Sequence, residues 1–170
     1  GPHVDEIKRG IHPASAIRNL SDNELALYCR KDMGQVIVTI APEQIPYDVI
    51  KDLVTQGVIV CLGHSNATIE QANKALKAGA TGFTHLYNAM SPLHSRAAGM
   101  VGAALLSKKS ALTAYAGLIV DLEHVDKYAC ELAINCMGTD RVMLVTDSMS
   151  HVGSKQTSLH FNGEEIFRSD

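Results

Sequence analysis

Two histidines, His64 and His85, stand at the ends of apolar runs in "CLGHSNATIEQANKALKAGATGFTHLYNAM" (residues 61–90). A neutral imidazole offers one donor and one acceptor, and it is the usual nitrogen ligand for zinc. If both runs are strands lying side by side about 5 Å apart, two such side chains can reach one point. Spacing leaves two readings open: polar residues that end loops, or two ligands of a shared metal. Neither histidine lies in an HExxH pattern, so a helix-borne zinc site is not indicated.

Asp147 closes "VMLVTD" after a run of apolar residues. A carboxylate there is costly unless it is paired or used. It suits a helix N-cap, or a general base beside a metal-activated water. Arg96 lies in "SPLHSRAAGMVGAAL", a segment rich in Gly and Ala. It is either a surface arginine or a phosphate ligand, since small residues let a ligand approach the backbone and guanidinium matches phosphate. His124 follows Asp121 in "IVDLEHV" and could open a helix or donate to a substrate; His12, in "KRGIHP", is equally open. His3, His94, His151 and His160 lack a comparable setting and read as ordinary polar residues.

The elements that must position these groups are strands alternating with helices. "QVIVTIAP" reads as a strand buried on both faces. Pro46 opens a helix that Gly57 stops. "VIVCLG" is a second strand, followed by a helix with Ser65 or Asn66 as its cap and Gly79 as its stop. "TGFTHLY", "ALTAYAGLIV" and "RVMLVTD" are three more strands. A small-residue loop separates the first two of these, and the helical "HVDKYACELAINCMG" precedes the last. Ser21 and Glu24 have capping-box spacing. Repeated strand–helix units mean a parallel α/β architecture, either an open doubly wound sheet or part of a (β/α)8 TIM barrel. His64, His85, Asp121 with His124, and Asp147 fall at the C-terminal ends of four successive strands. In a barrel those ends converge on one mouth, which favours the barrel. The expectation is a catalytic barrel portion over residues 1–150 with about five parallel strands. Residues 151–170, with Asn162-Gly163 inside "TSLHFNGEEIFR", form a β-hairpin excursion or the start of a small β-domain.

The chain has 170 residues, 46% hydrophobic and 19% charged, with formal net charge −3. This is globular composition, and it argues against a nucleic-acid binder with a basic surface. Four cysteines occur without a CxxC pair, which reads as buried reduced thiols in a reducing compartment. No apolar signal core opens the chain and no run reaches membrane-spanning length, so the expectation is a cytoplasmic protein that contacts neither membrane nor nucleic acid.

Taken together and in this order, "LGHSNA", "THLYNAMSPL", "GLIVDLEHV" and "LVTDSM" resemble the N-acetylglucosamine-6-phosphate deacetylase family of the amidohydrolase superfamily. "GPHVDEIKRGIHP" looks like the segment that follows a "HLEGP" signature in that family. The resemblance implies a metal-dependent hydrolase of the amidohydrolase barrel type. It would remove the acetyl group from N-acetylglucosamine 6-phosphate, giving glucosamine 6-phosphate and acetate in amino-sugar catabolism. By that resemblance His64 and His85 are metal ligands, and Asp147 and His12 are catalytic. Ile11, Asn88, Ala89, Arg96 and His124 contact the substrate, Arg96 from a neighbouring subunit of a homodimer. The implied cofactor is a divalent metal, Zn2+ first, with Fe2+, Mn2+ or Ni2+ as alternatives. The family's Glu ligand would precede Gly1, so the chain reads as a weakly active piece of a longer protein. Leu122 stands where a glycine is more usual. The competing readings are a related amidohydrolase acting on another N-acyl sugar or cyclic amide, and a sugar-phosphate-binding module without catalysis.

Overall fold

The computed structural model describes residues 2–109, 112, 114–161 and 163–167. Five strands, β1 (Ile37–Ile40), β2 (Ile59–Leu62), β3 (Gly82–Phe83), β4 (Tyr115–Ile119) and β5 (Val142–Val145), form one parallel sheet. The strand order is β1-β2-β3-β4-β5. Each strand pairs with the next in sequence and the order never reverses. A doubly wound sheet has a switch point where it does; a barrel does not. The expected partial (β/α)8 barrel is therefore the observed architecture, with a separate antiparallel hairpin of β6 (Ser158–Phe161) and β7 (Glu164–Phe167). Asn162, on which part of the hairpin expectation rested, lies outside the described residues.

Helices α1 (Asp22–Tyr28), α2 (Tyr47–Thr55), α3 (Ile69–Lys77), α4 (Gly99–Leu106) and α5 (Lys127–Met137) accompany the strands. Ile50 and Leu53 of α2, Leu62 of β2, Phe83 of β3, Met100 of α4, Leu118 of β4 and Met137 of α5 are almost wholly excluded from solvent in one core. Burying side chains of this size stabilises by about 1.5–3 kcal/mol each. Among the described residues no helix is long and apolar enough to cross a membrane.

Three expectations need correction. β1 is not buried on both faces: it is an edge strand here, and Ile37 is 62% exposed. The opposite edge, β5, exposes Met143, Leu144 and Val145. The cap of α3 is Thr68, in a capping box with Gln71, not Ser65 or Asn66. Ser65 stands three residues before that cap, where its hydroxyl donates to Glu43 and accepts the Ala67 N–H. The small-residue stretch expected to be loop contains α4, buried from Gly99 to Leu105. A helix buried all round has no amphipathic period to betray it.

The start of α4 is set from a distance. Ala98 gives no side-chain cap; the Ser91 hydroxyl accepts the Met100 N–H at 2.8 Å instead. Gly99 has φ +59°, and a Cβ on it would lie 2.5 Å from the Pro92 carbonyl oxygen and 2.6 Å from that of Ser91. Gly99→Ala combines a left-handed penalty of about 1–2 kcal/mol with overpacking. It is expected to destabilise by about 2 kcal/mol or more, read as a lower denaturant midpoint at unchanged slope.

Candidate active site

The segments that leave β2, β3, β4 and β5 share a backbone peculiarity. Among the described residues, six non-glycine residues have positive φ: His64 (48°), His85 (33°), Tyr87 (78°), Ala89 (48°), Leu122 (66°) and Asp147 (49°). All of them lie in the segments that follow the C-terminal ends of those four strands. Such conformations cost about 1–3 kcal/mol each and persist only where surrounding bonds enforce them. His85 and Tyr87 also explain why β3 is shorter than its sequence suggests.

Enforcement is visible around His64. Its carbonyl accepts the Asp5 N–H at 2.8 Å, and its Nδ1 lies 2.8 Å from the Lys8 carbonyl. Ser65 N–H donates to the Ala89 carbonyl and Ser91 N–H to the Ser65 carbonyl, so the loops after β2 and β3 are tied together. Gly63 has to be small there: a Cβ would meet Thr39 Cγ2 and Thr84 Cβ at 3.0 Å.

His85 is buried, and its Nδ1 lies 3.1 Å from the Asn88 carbonyl. The two Nε2 atoms of His64 and His85 face one another at 2.9 Å. A carbonyl only accepts, so each Nδ1 carries the ring hydrogen. In neutral rings both Nε2 atoms then present lone pairs to each other, an arrangement that calls for a cation between them. Burial, the largest influence, pushes His64 down to about 4, against holding a proton; His85 and His12 add to this, and the Lys8 hydrogen bond opposes it. Two nitrogens 2.9 Å apart lie within reach of one ion at the usual zinc–imidazole distance of about 2.0–2.1 Å. The pair fits a divalent metal as two of its ligands. Among the described residues no group of three or more His, Cys, Asp or Glu completes the set.

The lowered His64 value has a pH consequence. An unfolded histidine titrates near 6.5. Between pH 6.5 and about 4 the unfolded chain therefore binds a proton that the folded chain refuses. Stability should be fully present above pH 6.5, decline as pH falls through that window, and level off below about 4. Urea midpoints at pH 7.5 and 5 should differ, and His64→Asn should shrink the difference.

His12 belongs to this cluster: its ring centroid is 5.0 Å from that of His64. Burial lowers its pKa most, and the Asp147 carboxylate is close enough to pull it back up. Asp147 is exposed and lies just past the C-terminal end of β5. No helix begins after it among the described residues, so the capping alternative finds nothing to cap. Asn88 and Ala89 lie in the loop whose carbonyls hold His85 Nδ1 and Ser65 N. Ile11 sits 55% exposed in the turn beside His12.

His124 and Arg96 have neighbours other than the histidine cluster. His124 is exposed and its Nδ1 is 2.6 Å from Asp121 Oδ2. Asp121 also accepts the backbone N–H of Glu123 and His124, and these bonds, His124 first, hold its carboxyl down at about 2. Asp121 lines a cleft of about 320 Å3 with Ile119, Leu144 and Val145. Arg96 lines a different cleft, of about 450 Å3, with Asn66, Thr68, Glu70 and His94. The structure does not bring Arg96 and His124 into one cavity of this chain. Glu43, just past β1, was not singled out from the sequence. The strand-end position that selected the other residues selects it as well.

No protein-family model matches the chain. It is 46% identical over 168 residues to the N-acetylgalactosamine-6-phosphate deacetylase of Shewanella sp. (strain ANA-3), covering 99% of this chain and 42% of that protein. It is 39% identical over 155 residues to the N-acetylglucosamine-6-phosphate deacetylase of Vibrio furnissii, covering 90% and 38%. The solved N-acetylglucosamine-6-phosphate deacetylase of Pasteurella multocida superposes with TM-score 0.91 at 37% identity, over all of this chain and 44% of that one. A mutant of the Mycobacterium smegmatis enzyme, in complex with N-acetyl-D-glucosamine-6-phosphate, gives 0.89 at 30% identity, over 98% of this chain and 43% of that one. The chain spans about two-fifths of the length of the relatives it matches.

Proposed function

We propose, from the premise that this chain is related in sequence and fold to the N-acetylhexosamine-6-phosphate deacetylases over about two-fifths of their length, that it carries the hydrolytic machinery of such an enzyme. The reaction is cleavage of the acetamido bond of N-acetylglucosamine 6-phosphate, giving glucosamine 6-phosphate and acetate. The single observation behind this reading is the 2.9 Å approach of two lone-pair nitrogens, His64 Nε2 and His85 Nε2, at the mouth of a barrel. A divalent metal held there, zinc by the chemistry of two imidazoles, supplies Lewis acidity and lowers the pKa of water.

The chain's own residues do the rest. His64 and His85 hold their Nε2 lone pairs toward one point through the Lys8 and Asn88 carbonyls. Asp147 takes the proton from the attacking water at its carboxylate and returns it to the departing amine nitrogen. His12, kept neutral by its lowered pKa, donates an N–H to the acyl oxygen as negative charge grows there. Asn88, Ala89, Ile11 and His124 bind the sugar. Arg96, in its separate cleft, serves the phosphate of a second copy's site, which makes the working unit a homodimer. The four free cysteines support a reducing, cytoplasmic setting.

A second reading concerns the epimer. The 46% identical relative is named for N-acetylgalactosamine 6-phosphate, and it supports the axial 4-hydroxyl sugar as substrate. Acetate release from the two phosphosugars, assayed side by side with metal supplied, tests both. Turnover of either epimer upholds the deacetylase reading and their kcat/KM ratio assigns the sugar. Turnover of neither, by the complete polypeptide that carries these residues, overturns it.

A further inference from the structure

The bond from His64 Nδ1 to the Lys8 carbonyl needs the His64 backbone kept in place, and one side chain that keeps it there has no part in the chemistry above. Glu43 lies just beyond β1, one strand away from the histidine it influences. Its Oε2 accepts the Ser65 hydroxyl at 2.6 Å and its Oε1 accepts the Asn66 N–H at 2.6 Å. Ser65 is fully buried, and its Oγ also accepts the Ala67 N–H at 3.0 Å. A single carboxylate thus fixes the two residues immediately after His64, whose φ of +48° must be maintained from outside. Charge-assisted bonds of this length are about twice as strong as neutral ones. The Asp5 N–H on the His64 carbonyl holds the other side.

We infer that Glu43 is a positioning residue: it locks the left-handed backbone at His64, and so keeps the Nδ1–H tautomer aimed at the Lys8 carbonyl and the Nε2 lone pair aimed at His85. This rests on the metal-pair reading of the site. Outer-shell groups that orient a ligating imidazole are typically worth about 10–100-fold in metal affinity.

The test compares wild type with Glu43→Ala, Glu43→Gln and Ser65→Ala by two readouts. The first is the imidazole nitrogen spectrum of the metal-free protein above pH 7. Wild type should show His64 protonated at Nδ1. Glu43→Ala should show a mixed tautomer at His64, while His3, bonded to the Arg18 carbonyl and the Tyr28 hydroxyl, stays unchanged. The second is zinc or cobalt affinity, which should fall about 10–100-fold in Glu43→Ala. Glutamine can accept from Asn66 through its carbonyl and donate to the Ser65 hydroxyl, so Glu43→Gln should recover most of both readouts. Ser65→Ala removes one of the two bonds and should give a smaller shift in the same direction, which carries the test if Glu43→Ala does not fold. A folded Glu43→Ala, or the Ser65→Ala protein in its place, with wild-type tautomer and metal affinity overturns the role of Glu43 alone, even if its melting temperature has dropped. A wild-type protein whose His64 is not protonated at Nδ1 overturns the site reading and this role together.

Discussion

Asp147→Asn is expected to lower kcat by about 10²–10⁴-fold, the usual contribution of a positioned acid–base group, while phosphosugar binding stays close to wild type. The substitution is chosen on backbone grounds. Asp147 has φ +49°, a conformation that Asn tolerates as well as Asp does. Alanine would add strain and blur the result. Asparagine keeps the shape and cannot take a proton. Because Asp147 is exposed and no helix follows it among the described residues, no cap is lost. Equilibrium binding of the phosphosugar, measured beside turnover, separates a catalytic role from fold damage. Surviving turnover would place the base elsewhere. The same experiment discriminates a non-catalytic sugar-phosphate module, which has no use for an acid–base group at that strand end.

The second large effect concerns the metal pair. His85→Asn or His64→Asn should weaken zinc binding by more than the roughly 10–100-fold typical of outer-shell changes, because each removes a ligand outright. Asparagine again suits the positive φ at both positions. In His85→Asn the remaining imidazole no longer faces a second lone pair, so the repulsion relieved by a cation is gone and with it the preference for holding one. Turnover should fall to background with either substitution. Isothermal titration with zinc at pH 7.5 checks the affinity, and unchanged circular dichroism shows that the fold has survived. Wild-type affinity in His85→Asn would remove His85 from the ligand set.

Much of this was legible before the fold was known, for a definite reason. Parallel strands are read from β-branched runs, and in a barrel their C-terminal ends converge, so His64, His85 and Asp147 could be placed at one mouth by position alone. The helix stops at Gly57, Gly79 and Gly138 were legible because all three need positive φ. What stayed hidden depended on tertiary partners. Thr68 caps α3 through its box with Gln71, while Ser65 is tied to Glu43. α4 is apolar on every side because it is buried on every side, which erases the helical period. Glu43 carries no motif of its own; its meaning lies in two bonds to residues 22 and 23 positions away. The exposure of Ile37 and of β5 could not be read from apolar runs that elsewhere in the sheet are buried. Nor does spacing say that Arg96 lines a cleft that does not include His124.

The proposed chemistry depends on a cation held between two nitrogens 2.9 Å apart. Crystals of the protein soaked in excess zinc, with anomalous data collected at the zinc edge, address it directly. The predicted result is one peak within about 2.0–2.1 Å of both His64 Nε2 and His85 Nε2. Zinc located only at other residues, or a vacant gap between the two rings at full zinc excess, would contradict it.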